Sequence, residues 1–353
     1  MSQRPLIIAG PCSVESREQL LATVKALCSL SQVKMIRCGV WKPRTRPGGF
    51  EGLGEPALQW MREISQGPLR MADGSRVRFC CEVARREHVE LCLSYGIDTI
   101  WLGARTTANP FMVEEISNAL NGTGIQVLVK NPMSPDVRLW IGAIERLRQA
   151  GINQIAAVHR GFYMYNNLGY RNAPLWEVAM ELRRELPDIP IICDPSHMGG
   201  RRDLVETLAL HALQLDYDGL MVEVHPNPDQ AWTDAQQQLS PTEFTRLLST
   251  LSTLAPHNNA DALPSPILSP LRAEIDAVDH ELLRLLSRRM QLSRQIATVK
   301  RSEGLTVYQA QRWNAVVRDR LLLAADLGLD ATFTKELLER IHSESVRIQI
   351  EEE

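Results

Sequence analysis

A repeated unit constrains this chain more than any other feature. Between residue 5 and about residue 250, a short β-rich run, a loop and a helical stretch recur eight times. The strand-like runs are PLIIAG (5–10), VKMIRCG (33–39), RVRFCCEV (76–83), DTIWLGA (98–104), IQVLVKN (125–131), NQIAAVHRG (153–161), IPIICDP (189–195) and GLMVEVHP (219–226). Helical stretches such as REQLLATVKALCSL and DVRLWIGAIERLRQAG follow them. Eight βα units in about 250 residues predict a closed (β/α)8 barrel over residues 1–250. An open doubly wound sheet is the alternative, and the regular repeat favours closure. The first strand ends in AGPC rather than GxGxxG, so the dinucleotide-binding fingerprint is absent.

Residues 251–268 break the pattern. Pro256, Pro264 and Pro266 within them and Pro270 just after, interspersed with Ser, Asn and Ala, read as a semi-rigid linker. From 269 to 353 the character is helical. Leu271, Ile275, Val278, Leu282, Leu285, Leu292, Ile296 and Val299 follow alternating steps of four and three with one slot skipped. That spacing predicts a core-facing helix of about thirty residues, ended by Gly304. Two shorter helices are expected near 309–326 and 333–350. Three helices bury little by themselves, so a second copy of the chain is the expected partner, giving a homodimer through this domain.

Composition narrows the class. The chain has 353 residues, 44% of them apolar, enough for a substantial barrel core and a smaller domain. A net charge of −3 gives no global field for nucleic acid or an anionic membrane, so any anion site must be a local cluster. No apolar run approaches a membrane span, and MSQRPLIIAG lacks the long apolar region of a signal peptide. Seven cysteines at irregular spacing fit a reducing, cytoplasmic setting.

Barrel enzymes carry their chemistry at the C-terminal ends of the strands. In this chain nearly every such end is polar: Cys12, Arg37, Glu82, Arg105, Lys130, His159 with Arg160, Asp194 with His197, and Glu223 with His225. The loop GVWKPRTRPGGF adds Lys42, Arg44 and Arg46 between prolines that restrict the backbone. Six cations, Arg37, Lys42, Arg44, Arg105, Lys130 and Arg160, converge on one mouth. Their repulsion is relieved only by anions, and their number exceeds what one phosphate needs, so two phosphorylated substrates are expected. Cys12, His197 and Glu223, with an Asp or a second His, form a donor set suited to one divalent ion of the Mn, Fe, Co or Zn class.

The segments IAGPCSVE, WKPRTRP, LGARTT, LVKNP, HRGF, CDPSHMGGR and VEVHPNPDQAWTDAQQ resemble, in order, the signatures of 3-deoxy-D-arabino-heptulosonate 7-phosphate (DAHP) synthases of the shorter bacterial subtype, which is related to 3-deoxy-octulosonate 8-phosphate synthase. The resemblance implies condensation of phosphoenolpyruvate with erythrose 4-phosphate at the entry to aromatic amino acid biosynthesis. It places metal ligands on Cys12, His197, Glu223 and Asp234. Phosphoenolpyruvate contacts fall on Arg37, Lys42, Arg105, Lys130 and Arg160. Erythrose-phosphate contacts fall on Lys42, Pro43, Arg44 and Thr45, with Asp194, Ser196 and Arg201 near the far phosphate. Glu82 and His159 are the candidates to move protons. Octulosonate synthases carry KANRSS where this chain has the KPRT loop, so Pro43 and Arg44 imply the four-carbon aldose. Some relatives carry an N-terminal regulatory domain; strand 1 begins almost at once here, so feedback is expected to enter elsewhere.

Arg289 fills the skipped slot of the long helix, where a cation is costly unless something anionic meets it. LRAEIDAVDHELLRLLSRR, IATVK and SVRIQ resemble the all-α chorismate mutases. That resemblance implies rearrangement of chorismate to prephenate. It assigns Arg272 (reaching into a partner copy's site), Arg289, Lys300, Arg312, Ser345 and Gln349, with Lys300 and Gln349 on the ether oxygen. Gln309 and Trp313 stand where the family usually has acidic residues. The expected function is therefore bifunctional, with feedback by prephenate or chorismate through the helical domain. The alternative makes that domain a dimerising, ligand-sensing module only.

Overall fold

The computed structural model describes residues 5–42, 48–165, 169–254 and 268–351. The chain divides into two compact units, residues 1–259 and 260–353. In the first, eight parallel strands close into a barrel in sequence order, the last pairing with the first. They are β1 (Leu6–Gly10), β2 (Val33–Cys38), β3 (Phe79–Val83), β4 (Thr99–Leu102), β5 (Gln126–Lys130), β6 (Ile155–His159), β7 (Ile191–Cys193) and β8 (Gly219–Glu223). Each falls inside one of the eight runs read from the sequence. The strands are buried almost throughout, as a sheet sandwiched between a filled lumen and a ring of helices requires.

Local signals fix where the helices begin. Ser16 accepts from Gln19 N to cap the helix Arg17–Cys28. Asp136 accepts from Arg138 N and Leu139 N at the start of Val137–Gln149. Asn109 followed by Pro110 opens Pro110–Leu120. The last barrel helix, Pro241–Leu254, runs slightly past the boundary expected at 250. Gly39, just after β2, has no room for a side chain. A Cβ there would lie 2.1 Å from Cys12 O and 2.5 Å from Lys42 Nζ, so glycine lets the first two βα loops close on each other.

The second unit consists of three helices, Leu268–Ser302, Ala310–Asp326 and Ala331–Glu351. Gly304, at φ +66°, turns the chain after the first. The apolar stripe expected to face a core does not do so within one chain: Leu271, Ile275, Val278, Leu282, Leu285, Leu292, Ile296 and Val299 are each about half exposed. Only Ser293 and Ala297 of that helix are buried, because two shorter helices can cover one side of it and no more. All seven cysteines are buried and unpaired. Among the described residues no helix is long and apolar enough to cross a membrane.

Candidate active sites

The strand ends deliver a charged cluster into the barrel mouth. Arg37, at the end of β2, is fully buried and pairs with Glu223 of β8 at 2.9 Å and Asp194 at 3.9 Å. Burial opposes its charge, but Glu223 and Asp194 outweigh that and raise its pKa. Lys130 of β5 meets Asp194 at 2.9 Å. Beneath both lies Trp101 of β4, with Arg37 Cζ 5.2 Å and Lys130 Nζ 5.5 Å from a ring centroid. The indole N–H donates to Glu82 Oε2 at 3.1 Å. Two nitrogens of Arg37, Nε and Nη1, are buried with no hydrogen-bond acceptor among the described residues. Such donors are costly to leave unmet and mark where an anion belongs.

Arg160 is buried at the end of β6, its N–H held by Asn131 Oδ1 at 2.7 Å. Burial pulls its pKa down to about 10, with Arg171 and Arg105 adding like-charge repulsion and Asp194 opposing. It remains a cation at neutral pH, and the crowding shows three arginines within electrostatic reach. Lys42 Nζ sits 3.2 Å from Cys12 Sγ. Burial disfavours its charge, yet Cys12 and Glu223 hold its pKa above the usual lysine value. Pro43, Arg44 and Thr45 lie outside the described residues.

Cys12, Glu223 and Asp234 present ligating atoms within 4.8 Å of one another. His197 stands beside them, with Nε2 3.7 Å from Glu223 Oε1 and Nδ1 2.8 Å from Asp194 Oδ2. Burial, then the carboxylate of Glu223, pushes the Cys12 thiol up to about 12. A thiol that sits protonated between carboxylates becomes a thiolate only when a cation is supplied, and thiolate, carboxylates and imidazole together fit a borderline divalent metal. Asp234 is held at about 2, against burial, by Arg171 first and then by His197 and Lys42.

Several expected site residues lie deeper in the barrel than their anticipated contacts suggested. Asp194 does not face outward toward a phosphate. It is fully buried, accepts from His197 N, and turns its other oxygen to Lys130, Arg37 and His197, which anchors the cluster. Ser196 is also internal, its Oγ accepting from Glu223 N at 3.0 Å. Arg201 is exposed and pairs with Asp203, and it lines a cavity of about 530 Å³ beside Asp234 and Arg171. His159 turns away from this group into a cage of Trp140, Phe162, Trp176 and Tyr217, with Nδ1 2.7 Å from Tyr217 Oη. Burial drives its pKa down to about 3. Its ring is caged by aromatics, and burial favours the neutral form.

That placement has a measurable consequence. The unfolded histidine titrates near about 6.5, so between there and about 3 the unfolded chain holds a proton that the fold excludes. Stability is therefore full above about pH 6.5 and falls with pH through that window. His88, held at about 4 by burial, acts in the same sense. Each contributes a slope of up to about 1.4 kcal/mol per pH unit. Denaturant unfolding of His159→Phe between pH 6 and pH 4 is expected to lose one such increment; an unchanged slope would contradict the neutral, caged ring.

In the helical unit, Arg289 Nη1 donates to Ser345 Oγ and to Ile341 O, so the helix Ala331–Glu351 meets the skipped slot. Lys300 Nζ donates to Val307 O at 2.5 Å. Gln349 is buried, with Nε2 on Ser345 O and Oε1 unpartnered among the described residues. Trp313 stacks on His342 at 3.9 Å, and Arg289 and Lys300 both lower the His342 pKa beyond the effect of its burial. Arg272 and Arg312 are exposed. Arg272 lies 28 residues before Lys300 on one continuous helix, about 42 Å at 1.5 Å per residue, and cannot join its own chain's cluster.

Sequence reasoning missed Trp101, Asn131, Arg171, Gln237, Gln238 and His342. The glutamines were legible as polar neighbours of Asp234 in DAQQQ. Nothing in the local sequence marked Trp101, because an apolar residue on a barrel strand looks like ordinary packing.

The barrel and its mouth define an enzyme that takes anionic substrates at the C-terminal ends of its strands. The chain belongs to the DAHP synthetase I family, which it matches over residues 1–259, and residues 271–350 match chorismate mutase type II. It is a fusion of DAHP synthase and chorismate mutase, two enzyme activities of aromatic biosynthesis. A phospho-2-dehydro-3-deoxyheptonate aldolase of Thermotoga maritima is 34% identical over 249 residues, covering 70% of this chain and 69% of that protein. A 2-dehydro-3-deoxyphosphooctonate aldolase of Desulfotalea psychrophila is 26% identical over 271 residues, covering 70% and 88%. The crystal structure of the Thermotoga maritima DAHP synthase superimposes with a TM-score of 0.62 at 32% identity, covering 71% of this chain and 69% of that one.

Proposed function

We propose that the barrel condenses phosphoenolpyruvate with erythrose 4-phosphate, and that the helical unit rearranges chorismate to prephenate as part of a homodimer and mediates feedback inhibition. The observation that carries the barrel reading is the buried guanidinium of Arg37, two of whose nitrogens lack an acceptor among the described residues, beside Lys130 and the Cys12–Glu223–Asp234 group. Arg37, Lys130, Arg160 and Arg105 hold phosphoenolpyruvate. Lys42, Pro43, Arg44, Thr45 and Arg201 hold the aldose phosphate. Cys12, His197, Glu223 and Asp234 hold one divalent ion of the Mn, Fe, Co or Zn class, which when bound supplies Lewis-acid polarisation of the aldehyde. The cations hold two mutually repelling anions in reacting geometry, and Lys42 keeps a proton at the site entrance. Seven unpaired cysteines support a cytoplasmic location.

Phosphate release from phosphoenolpyruvate tests the reading. It is expected to require erythrose 4-phosphate and to be negligible with a five-carbon aldose phosphate; equal rates would favour the octulosonate reaction. Arg44→Ala is expected to raise KM for erythrose 4-phosphate about 30- to 150-fold, the equivalent of about 2–3 kcal/mol for one charge-assisted contact, with little change for phosphoenolpyruvate. Equal changes for both would remove Arg44 from the aldose site.

The Trp313–His342 stack favours a second reading, in which the helical unit binds ligand without turning it over, since an aromatic wall stands where the mutase family usually has an acid. Loss of chorismate absorbance in the intact chain separates the two. For feedback, prephenate is expected to inhibit condensation, and Arg289→Ala is expected to retain condensation while losing that inhibition. Undiminished inhibition in Arg289→Ala would place the inhibitory site elsewhere. A coupling of about 2 kcal/mol, roughly thirtyfold, is in the usual range.

A further inference from the structure

We infer that Arg171 and Gln237 are positioning residues for the metal site, tying two of its carboxylates into one hydrogen-bonded chain; the inference rests on the metal reading of Cys12, Glu223 and Asp234. Arg171 Nη1 lies 3.1 Å from Asp234 Oδ1 and donates to Gln237 Oε1 at 2.6 Å. Gln237 Nε2 in turn donates to Glu223 Oε2 at 2.7 Å. Gln237 is buried, and its neighbours fix its amide orientation from both ends, one needing an acceptor and the other a donor. Glutamine meets both needs. Glutamate would place a second negative charge against Glu223, and leucine would leave both partners unmet.

The loop carrying Arg171 is itself fastened to the metal-site wall. Asn172, also buried, donates through Nδ2 to His197 O at 2.7 Å, and its backbone N–H donates to Met198 O. Gly200, at φ +69°, leaves room for the arginine stem, since a Cβ there would fall 2.5 Å from Arg171 Cβ. Asp234 holds a left-handed φ of +49°, an uncommon conformation for a residue with a side chain. Fixed geometry at that residue is what a second partner on its carboxylate would maintain. Partners that orient ligands in this way commonly matter about 10- to 100-fold in metal affinity.

Cobalt binding to the intact protein tests this, because a cobalt–thiolate bond at Cys12 gives a charge-transfer band that reports the metal directly. Arg171→Ala and Gln237→Glu are expected to weaken Co2+ about 10- to 100-fold by titration of that band. The double variant is expected to lose less than the product of the single losses, since both act through one chain of bonds. Far-UV circular dichroism and thermal unfolding of the intact variants are expected to match wild type, which controls for folding, and Gln237→Glu is near-isosteric with the native side chain. Wild-type titration midpoints in both single variants would overturn the inference while leaving the metal site standing. Absence of the band in the wild-type chain would overturn the metal reading and this inference with it.

Discussion

Cys12→Ala is expected to abolish DAHP formation, by at least about a thousandfold, while chorismate turnover stays at the wild-type level. The thiol is buried within reach of Asp234, Lys42 and Glu223, so its removal would take the one sulfur donor out of the proposed metal site. Its raised pKa gives the loss a second signature. Metal binding must displace the Cys12 proton, so affinity in the wild type is expected to rise with pH, and Cys12→Ala is expected to flatten that dependence. Metal content by atomic emission after chelation and dialysis, with condensation and mutase assays on the same sample, reads all three effects. Full condensation by the chelated Cys12→Ala protein would remove Cys12 from the metal site.

A mixture of Arg272→Ala and Lys300→Ala chains is expected to recover about a quarter of wild-type mutase activity, although each variant alone is expected to fall by at least about a hundredfold. The geometry behind this is a single 35-residue helix that separates the two cations by too great a distance for one chain to use both. In a homodimer each active site would take Lys300 from one chain and Arg272 from its partner. Random exchange makes half of the dimers mixed, and a mixed dimer holds one site with both changes and one site with neither. In such a dimer the apolar stripe of the same helix would supply the adhesion. Covering the exposed half of each of its eight large side chains is worth about 1 kcal/mol per residue, a sum of the same order as the whole stability of a small domain. No recovery after denaturation and joint refolding would mean that the sites are built within one chain.

What the sequence alone determined was the periodic part of the molecule. Eight strands, the closure of the barrel and the three helices follow from repeats of apolar residues and from their stop signals, which act over a few residues. The charged strand ends were legible for the same reason, because the barrel sends every strand's C-terminal end to one mouth. How those residues are partnered was decided only in three dimensions. His159 and Arg160 are neighbours in the chain, yet one turns into the aromatic layer and the other lies within electrostatic reach of Asp194 and Arg171, since successive side chains at a strand end point to opposite faces. Asp194 became an anchor once Lys130 and Arg37 were brought to it from two other strands, beside its near neighbour His197. Arg171, Gln237 and Glu223 are separated by up to 66 residues and are joined by hydrogen bonds of about 3 Å or less. Contacts of that kind depend on how loops from different βα units meet, which no local pattern of residues encodes.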